Sequence, residues 1–297
     1  AFMSGKSSKL YWKNYALRRF LRIYPLFVIA LFFYGFLSFI GLKTVIDKLI
    51  DIPLHMLLIR GESIFWSIPV EFKYYFVSPL IMWICHKFLN WDKIKLAIFF
   101  VLLIFASIII EFIYKLPLVS TIRFFPIFLV GTVISIYEII ERKEVIQAIK
   151  PVYFNLLGII AGMLILITVP YYFEKIFGFK IEFYASTFYL PYAILWGLIL
   201  LAAKYGKGII KTILELKLLR FIGSISFSIY LFHIPFLEFV KGIGLHSDMK
   251  IYLFFLLTII FSTFSFLFIE RPLSKIRIYS KNITEKDLVT KNGISKG

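Results

Sequence analysis

The sequence predicts an all-α fold, a polytopic bundle of transmembrane helices with about eight membrane segments in this chain. Three observations predict it. Hydrophobic residues make up 60% of the 297 positions and charged residues only 17%, whereas soluble domains are about half apolar and about a quarter charged. Mean hydropathy is +0.87, and apolar runs of spanning length recur from one end to the other. Alternation of apolar and polar residues, the mark of an outer-membrane barrel, is absent from those runs.

The runs lie near 24–42, 65–86, 96–114, 124–141, 152–173, 184–203, 221–240 and 250–269. The first follows a basic stretch, "KNYALRRFLRIYPLF", that should sit at a membrane surface. Between the first and second runs, "DKLIDIPLHMLLIRGES" is long enough for an interfacial helix. The second and fourth runs carry polar interruptions, and the remaining loops are short. Eight segments place both termini on one side, and 24 of the 34 lysines and arginines fall on that side. The positive-inside rule therefore puts both termini in the cytoplasm. The net charge of +17 is mostly this topology signal, so a nucleic-acid partner is not expected. Cys85 is the single cysteine, which excludes an internal disulfide. Residues 1–272 are expected to form one transmembrane domain and 273–297 a basic cytoplasmic tail with little fixed structure.

Arg18, Arg19 and Arg22 are spaced three and four apart, which on a helix places them on one face. Three guanidiniums there can hold a polyanion through bidentate contacts, and a cytosolic phosphate-bearing acyl donor would suit them. The competing reading is structural, because juxtamembrane arginines commonly anchor helices and contact anionic head groups.

In "WSIPVEFKYYFVSPL", Trp66 suits an interfacial belt and Glu71 lies about 7.5 Å deeper at 1.5 Å per residue. Ser67, Glu71, Tyr75 and Ser78 form a polar stripe at helical spacing. A carboxylate at that depth is a functional hypothesis by default, with Lys73, Arg60 and Arg123 as candidate counter-charges. Its structural alternative is an ion pair or a hydrogen-bonded glutamate near the interface. In "SISFSIYLFHIPF", Ser226, Tyr230 and His233 form a second stripe, with His233 near the bilayer midplane. Such a histidine can act as a general base or as a polar bridge between helices, and the bridge is the more ordinary role. No metal-ligand spacing and no Gly-rich phosphate loop is present.

Taken together and in order, these stretches resemble the acyltransferase family 3 of integral membrane proteins. Ser4-Gly5 matches part of an "SGF"-like exit. Arg19 to Leu26 match a basic "R-x-x-R…R-I-x-P-L" entry. Trp66, Ser67, Glu71, Tyr75 and Pro79 match "W-S-L-x-x-E…Y…P". Gly223, Ile225, Ser226, Ser228, Tyr230, Leu231 and His233 match a late "G-x-I-S-Y-S-x-Y-L-x-H", and Glu270-Arg271-Pro272 match a final "E-R-P". The resemblance implies about ten segments. It also places a basic residue and, about eleven positions on, an essential histidine in a first segment that no stretch here matches. The chain, which begins at Ala1, is accordingly expected to lack its true N-terminus.

The resemblance implies transfer of an acyl group, usually acetyl from acetyl-CoA, to a hydroxyl of a surface carbohydrate or glycolipid. It assigns the donor to Arg19 and Arg22, with Arg18 beside them, and requires no metal or bound cofactor. Glu71 and His233 are the candidate catalytic residues, and Trp66, Ser67, Tyr75 and Tyr230 are candidates for acceptor binding or support. The expected location is the cell membrane. A transporter or exporter of a glycan or lipid intermediate, using Glu71 and His233 as substrate or proton sites, is the alternative of a different class.

Overall fold

The computed structural model describes residues 9–42, 44–46, 50–141, 145–146, 148–179 and 185–278. Those residues form helices and connecting turns, with no strand among them. All eight apolar runs are helical. Length and composition mark five helices as able to cross a membrane, or six if one bent pair counts as a single span. The expected eight spans are thus not reached on that measure.

α1 (Lys9–Phe39) is 31 residues long, about 46 Å at 1.5 Å per residue. The hydrocarbon core is about 30 Å thick, so the basic first turns project beyond it and the helix starts well before the apolar run does. Pro25 lies inside it. The next loop carries the short α2 (Asp51–Met56) and a 3₁₀ turn, Ser63–Trp66, that leads directly into α3 (Ser67–Lys87). The expected interfacial helix is therefore one short α-helix followed by turns. Leu58 and Ser63 sit there at φ 58° and 47°, the left-handed region that side chains with a Cβ seldom adopt.

α4 (Lys93–Tyr114) opens on an Asp92 cap whose carboxylate accepts from the Lys95 backbone N–H at 2.9 Å. α5 (Thr121–Glu141) follows. The run at 152–173 divides into α6 (Pro151–Ile167) and α7 (Pro170–Phe177), which meet at 86°. Pro170 stands in the first turn of α7, where its missing N–H is harmless and its fixed φ starts a helix. α8 (Ala185–Tyr205), α9 (Ile209–Leu214), α10 (Lys217–Lys241) and α11 (Ser247–Ser265) complete the long elements. A five-residue π-turn, Phe266–Glu270, then leads into α12 (Arg271–Ser274).

The chain divides into two compact units. The first comprises the described parts of residues 1–68, 75–86 and 227–297. Its interior is aromatic: Phe65 takes Phe27, Tyr34 and His55 edge-on at 5.7, 5.1 and 5.8 Å between centroids. Phe232 and Phe261 meet at 4.8 Å. The second comprises residues 69–74 and the described parts of 87–226. There α6 and α8 pack closely, and α5 packs on both α4 and α8. A Cβ on Gly158 would come within 2.5 Å of the Ala202 Cβ, so this crossing needs the small residues that membrane helix interfaces favour.

Candidate functional site

The three arginines of α1 differ in surroundings. Arg19 is half-buried and turns toward α3. Its Nη1 donates to the Tyr75 hydroxyl at 3.2 Å, and its guanidinium carbon lies 4.4 Å from the centre of the same ring. Tyr15, one turn earlier, completes that face: its hydroxyl is 2.9 Å from Ser78 Oγ. Arg18 and Arg22 are exposed. Arg18 Nε donates to the Asn14 carbonyl at 3.2 Å. Asn14, Arg18 and Arg22 recur every four residues and so share one face. Arg22 points between Arg18 and Arg19, so the three span one broad side of the helix, with Arg19 at the edge that meets α3.

On the Asn14 side α1 meets the last described residues of the chain. Asn14 makes two hydrogen bonds to Ile278: its side-chain N–H donates to the carbonyl, and its side-chain oxygen accepts from the backbone N–H, both at 2.8 Å. The π-turn and α12 pack against α1. Glu270 closes the π-turn, and the Ser228 hydroxyl donates to its Oε1 at 2.5 Å. Ser228 is completely buried, and Ser265 Oγ lies 2.9 Å from its hydroxyl. Glu270 lies eight residues before Ile278 and Arg22 eight residues after Asn14, so the packing of this stretch on α1 brings Glu270 toward the Arg22 turn.

Elsewhere in the same unit, Tyr230 anchors the second polar stripe. Its hydroxyl donates to the Ile64 carbonyl and lies 2.8 Å from Ser67 Oγ. Ser67, Tyr75 and Ser78 therefore all have polar partners on other helices, which is what a stripe turned into a bundle should show. Trp66 is half-buried in the 3₁₀ turn before them. His233 is half-buried, and its Nδ1–H points back to the Tyr230 and Ile229 carbonyls at 2.9 and 3.2 Å. The expected interhelical bridge is not what this nitrogen makes. A carbonyl can only accept, so Nδ1 is the nitrogen that donates. His55, which had no expected role, is fully buried, with Nδ1 bonded to the Asp51 carbonyl at 2.9 Å and Nε2 without a partner.

Glu71 belongs to the second unit and is half-buried in the first turns of α3. Around it, Tyr74 is tied to α5 through Thr132 at 2.5 Å and stacks on Phe128 at 4.4 Å. The Thr121 hydroxyl donates to the Val70 carbonyl at 3.2 Å. The cations expected near Glu71 have other work. Arg60 pairs with Asp51 at 2.5 Å, and Lys73 reaches the Val119 carbonyl at 3.5 Å. Arg123 Nε lies 3.2 Å from Glu111 Oε1 but off the hydrogen-bonding direction, while its Nη1 donates to the Leu116 carbonyl at 2.9 Å.

Between α5 and α8 lies a mainly apolar cavity of about 420 Å³, lined by Ile127, Gly131, Tyr189, Trp196 and Leu200. Lys204 closes one end, paired with Glu138 at 2.6 Å. Among the described residues, no group of three or more His, Cys, Asp or Glu could hold a metal ion. Ser4 and Gly5 lie outside the described residues.

The residue that sequence reasoning passed over is Glu270. It stood in the final motif with no role assigned. The available signal was a carboxylate at the very end of an apolar run, where burial of the preceding turn would require a polar partner.

A family model described as an acyltransferase domain matches residues 1–270. Among curated proteins, the O-acetyltransferase OatA of Staphylococcus aureus strain NCTC 8325 / PS 47 is 27% identical over 222 residues. OatA of strain COL matches to the same degree. The match covers 71% of this chain and 36% of the relative, so the chain spans about a third of the length of the curated relatives it matches. No solved structure matches.

Proposed function

The chain belongs to the acyltransferase domain family, and on that premise we propose that it is a membrane-bound O-acetyltransferase that moves an acetyl group from cytosolic acetyl-CoA to a hydroxyl of a surface carbohydrate or glycolipid. The observation that carries the reaction class is the family match across residues 1–270. The acetyl group and the oxygen acceptor follow the name of OatA, the relative at 27% identity.

The donor's phosphates bind at the basic start of α1. Arg19, held by Tyr75, and the exposed Arg18 and Arg22 supply the guanidinium donors. The acceptor oxygen attacks the thioester carbonyl carbon, a C–O bond forms and the C–S bond breaks. The hydroxyl proton passes through a base to the departing thiolate, giving an acetyl ester and free CoA. Glu71 is the residue we assign to taking or orienting that proton. Trp66, Ser67 and Tyr230 support the acceptor, and His233 on α10 is the second candidate base.

The deciding experiment offers tritiated acetyl-CoA to the purified full-length protein with extracted cell-surface glycans and lipids. Label is expected in an acceptor, released by mild base as acetate. Uptake into vesicles with no acetylated product would sink the enzyme reading and favour a carrier.

Orientation follows the lysine and arginine distribution: both termini and the basic tail from residue 273 lie in the cytosol, in the cell membrane. Single cysteines at the exposed Ser63 and Ser247 should then react with a membrane-impermeant maleimide in intact cells, while Cys85 should not. Reaction of Ser63→Cys and Ser247→Cys only after lysis would invert the topology.

A further inference from the structure

We propose that Glu270 is a positioning residue for the donor site, which aims Arg22 of α1 at the phosphates of the acyl-CoA. The proposal rests on the donor reading above and adds a residue to which neither the family match nor the relatives assign a role.

Three placements carry it. First, the carboxylate is fixed. Its Oε1 accepts from Ser228, itself fully buried, and Ser265 stands 2.9 Å behind that serine. Glu270 therefore cannot swing freely, as a surface glutamate would. Second, its backbone is fixed to α1 on both sides. The π-turn that ends at Glu270 packs on α1, and eight residues later Ile278 is bonded twice to Asn14. A π-turn inserts one residue into a helical run and re-aims the next turn of the helix, and such turns are frequent at functional sites. Third, Asn14, Arg18 and Arg22 share one face of α1, so the clamp at Asn14 sets the register in which Glu270 approaches Arg22.

The approach stops short of an ion pair. Glu270 and Arg22 stand at matching places in the register set by Asn14 and Ile278, yet among the described residues no contact within 4.0 Å joins them as one joins Arg60 to Asp51. Arg22 is exposed, so its N–H donors remain available to a ligand. A fixed negative charge near a guanidinium biases its rotamers by attraction without consuming its donors. That is the outer support a bidentate phosphate contact needs to hold its geometry.

The sign of the effect makes the proposal testable. By charge alone, removing a carboxylate beside a phosphate site should strengthen the binding of an anionic donor. Positioning predicts the reverse. Equilibrium binding of tritiated acetyl-CoA to the detergent-purified full-length protein is measured for Glu270→Gln, Glu270→Asp, Arg22→Gln and the Glu270→Gln/Arg22→Gln double variant. Arg22→Gln should raise Kd at least ten-fold and Glu270→Gln about ten-fold. The double variant should bind no more weakly than Arg22→Gln alone, because the two act through one contact. Glu270→Asp should recover most of the loss.

Should Glu270→Gln destabilise the protein, Ser228→Ala serves instead. It frees the carboxylate without removing it and should raise Kd about three-fold. Wild-type or tighter binding by Glu270→Gln, with weak binding by Arg22→Gln, overturns the positioning role and leaves the donor reading standing. Fully additive losses also overturn it. Wild-type binding by Arg22→Gln overturns the donor reading and this inference together.

Discussion

Replacing Arg19 by alanine is expected to weaken acetyl-CoA binding about a hundred-fold while leaving the helix bundle intact. A bidentate contact between a guanidinium and a phosphate consists of two charge-assisted hydrogen bonds. Hydrogen bonds to charged groups contribute about 1.5–3 kcal/mol each, and every 1.4 kcal/mol is a factor of ten. Arg19 is the arginine most committed in advance, bonded to the Tyr75 hydroxyl and lying over its ring. Arg19→Lys should recover only part of the loss, because an ammonium keeps the charge but neither the stacking nor the planar fork. Tyr75→Phe separates support from contact. It keeps the ring and loses only the hydroxyl, so Kd should rise about three- to five-fold, the value of one modest hydrogen bond. The measurement is acetyl-CoA Kd beside a thermal melt. An Arg19→Ala protein that melts normally and binds acetyl-CoA as wild type does would remove α1 from the donor site.

The different surroundings of the three arginines show where sequence reading reaches its limit. The apolar runs located every long helix, because transfer of side chains into hydrocarbon is a local property that each window reports by itself. The start of α1 was placed some fifteen residues late, since its first turns are polar and lie beyond the hydrocarbon. The run at 152–173 was read as one segment because hydropathy does not register direction. Pro170 marked the new helix and its 86° turn, but only as a start signal inside an apolar window. The polar stripe on α3 was legible from periodicity, and Ser67, Tyr75 and Ser78 do meet polar partners.

The identity of those partners was not legible. Asn14 and Ile278 are 264 positions apart, and no local pattern announces such a pairing. The same holds for Glu270 and Ser228. Each is an ordinary residue in its own window and becomes informative only when the fold brings α10, the π-turn and α1 together. Spacing fixes which residues share a side of a helix but not which neighbour each of them meets, and here Arg19 meets α3 while Arg18 and Arg22 stay exposed.

Glu71→Gln is expected to lower the rate of acetyl transfer a hundred-fold or more, with normal membrane insertion and a melting temperature close to wild type. Glutamine keeps the shape of the side chain and one carbonyl acceptor but has neither negative charge nor basicity. A group that takes or orients a proton in the transition state contributes about 10²–10⁴ in rate, whereas a half-buried glutamate used only for packing should tolerate the isostere with little change. A purely structural role for the Glu71 charge would register in the melt.

His233→Asn is the matching control. The asparagine N–H can still reach a carbonyl of its own helix, as Nδ1 does at 2.9 and 3.2 Å, but no basic nitrogen remains. We expect less than a ten-fold loss for His233→Asn, because the bonds the structure gives this ring are to its own backbone. The two variants are to be compared by kcat, donor Kd and thermal melt in one preparation. A fully active Glu71→Gln protein would reduce the carboxylate to packing. If His233→Asn instead suffered the hundred-fold loss in kcat at unchanged donor Kd and melt, His233 would take the hydroxyl proton in place of Glu71.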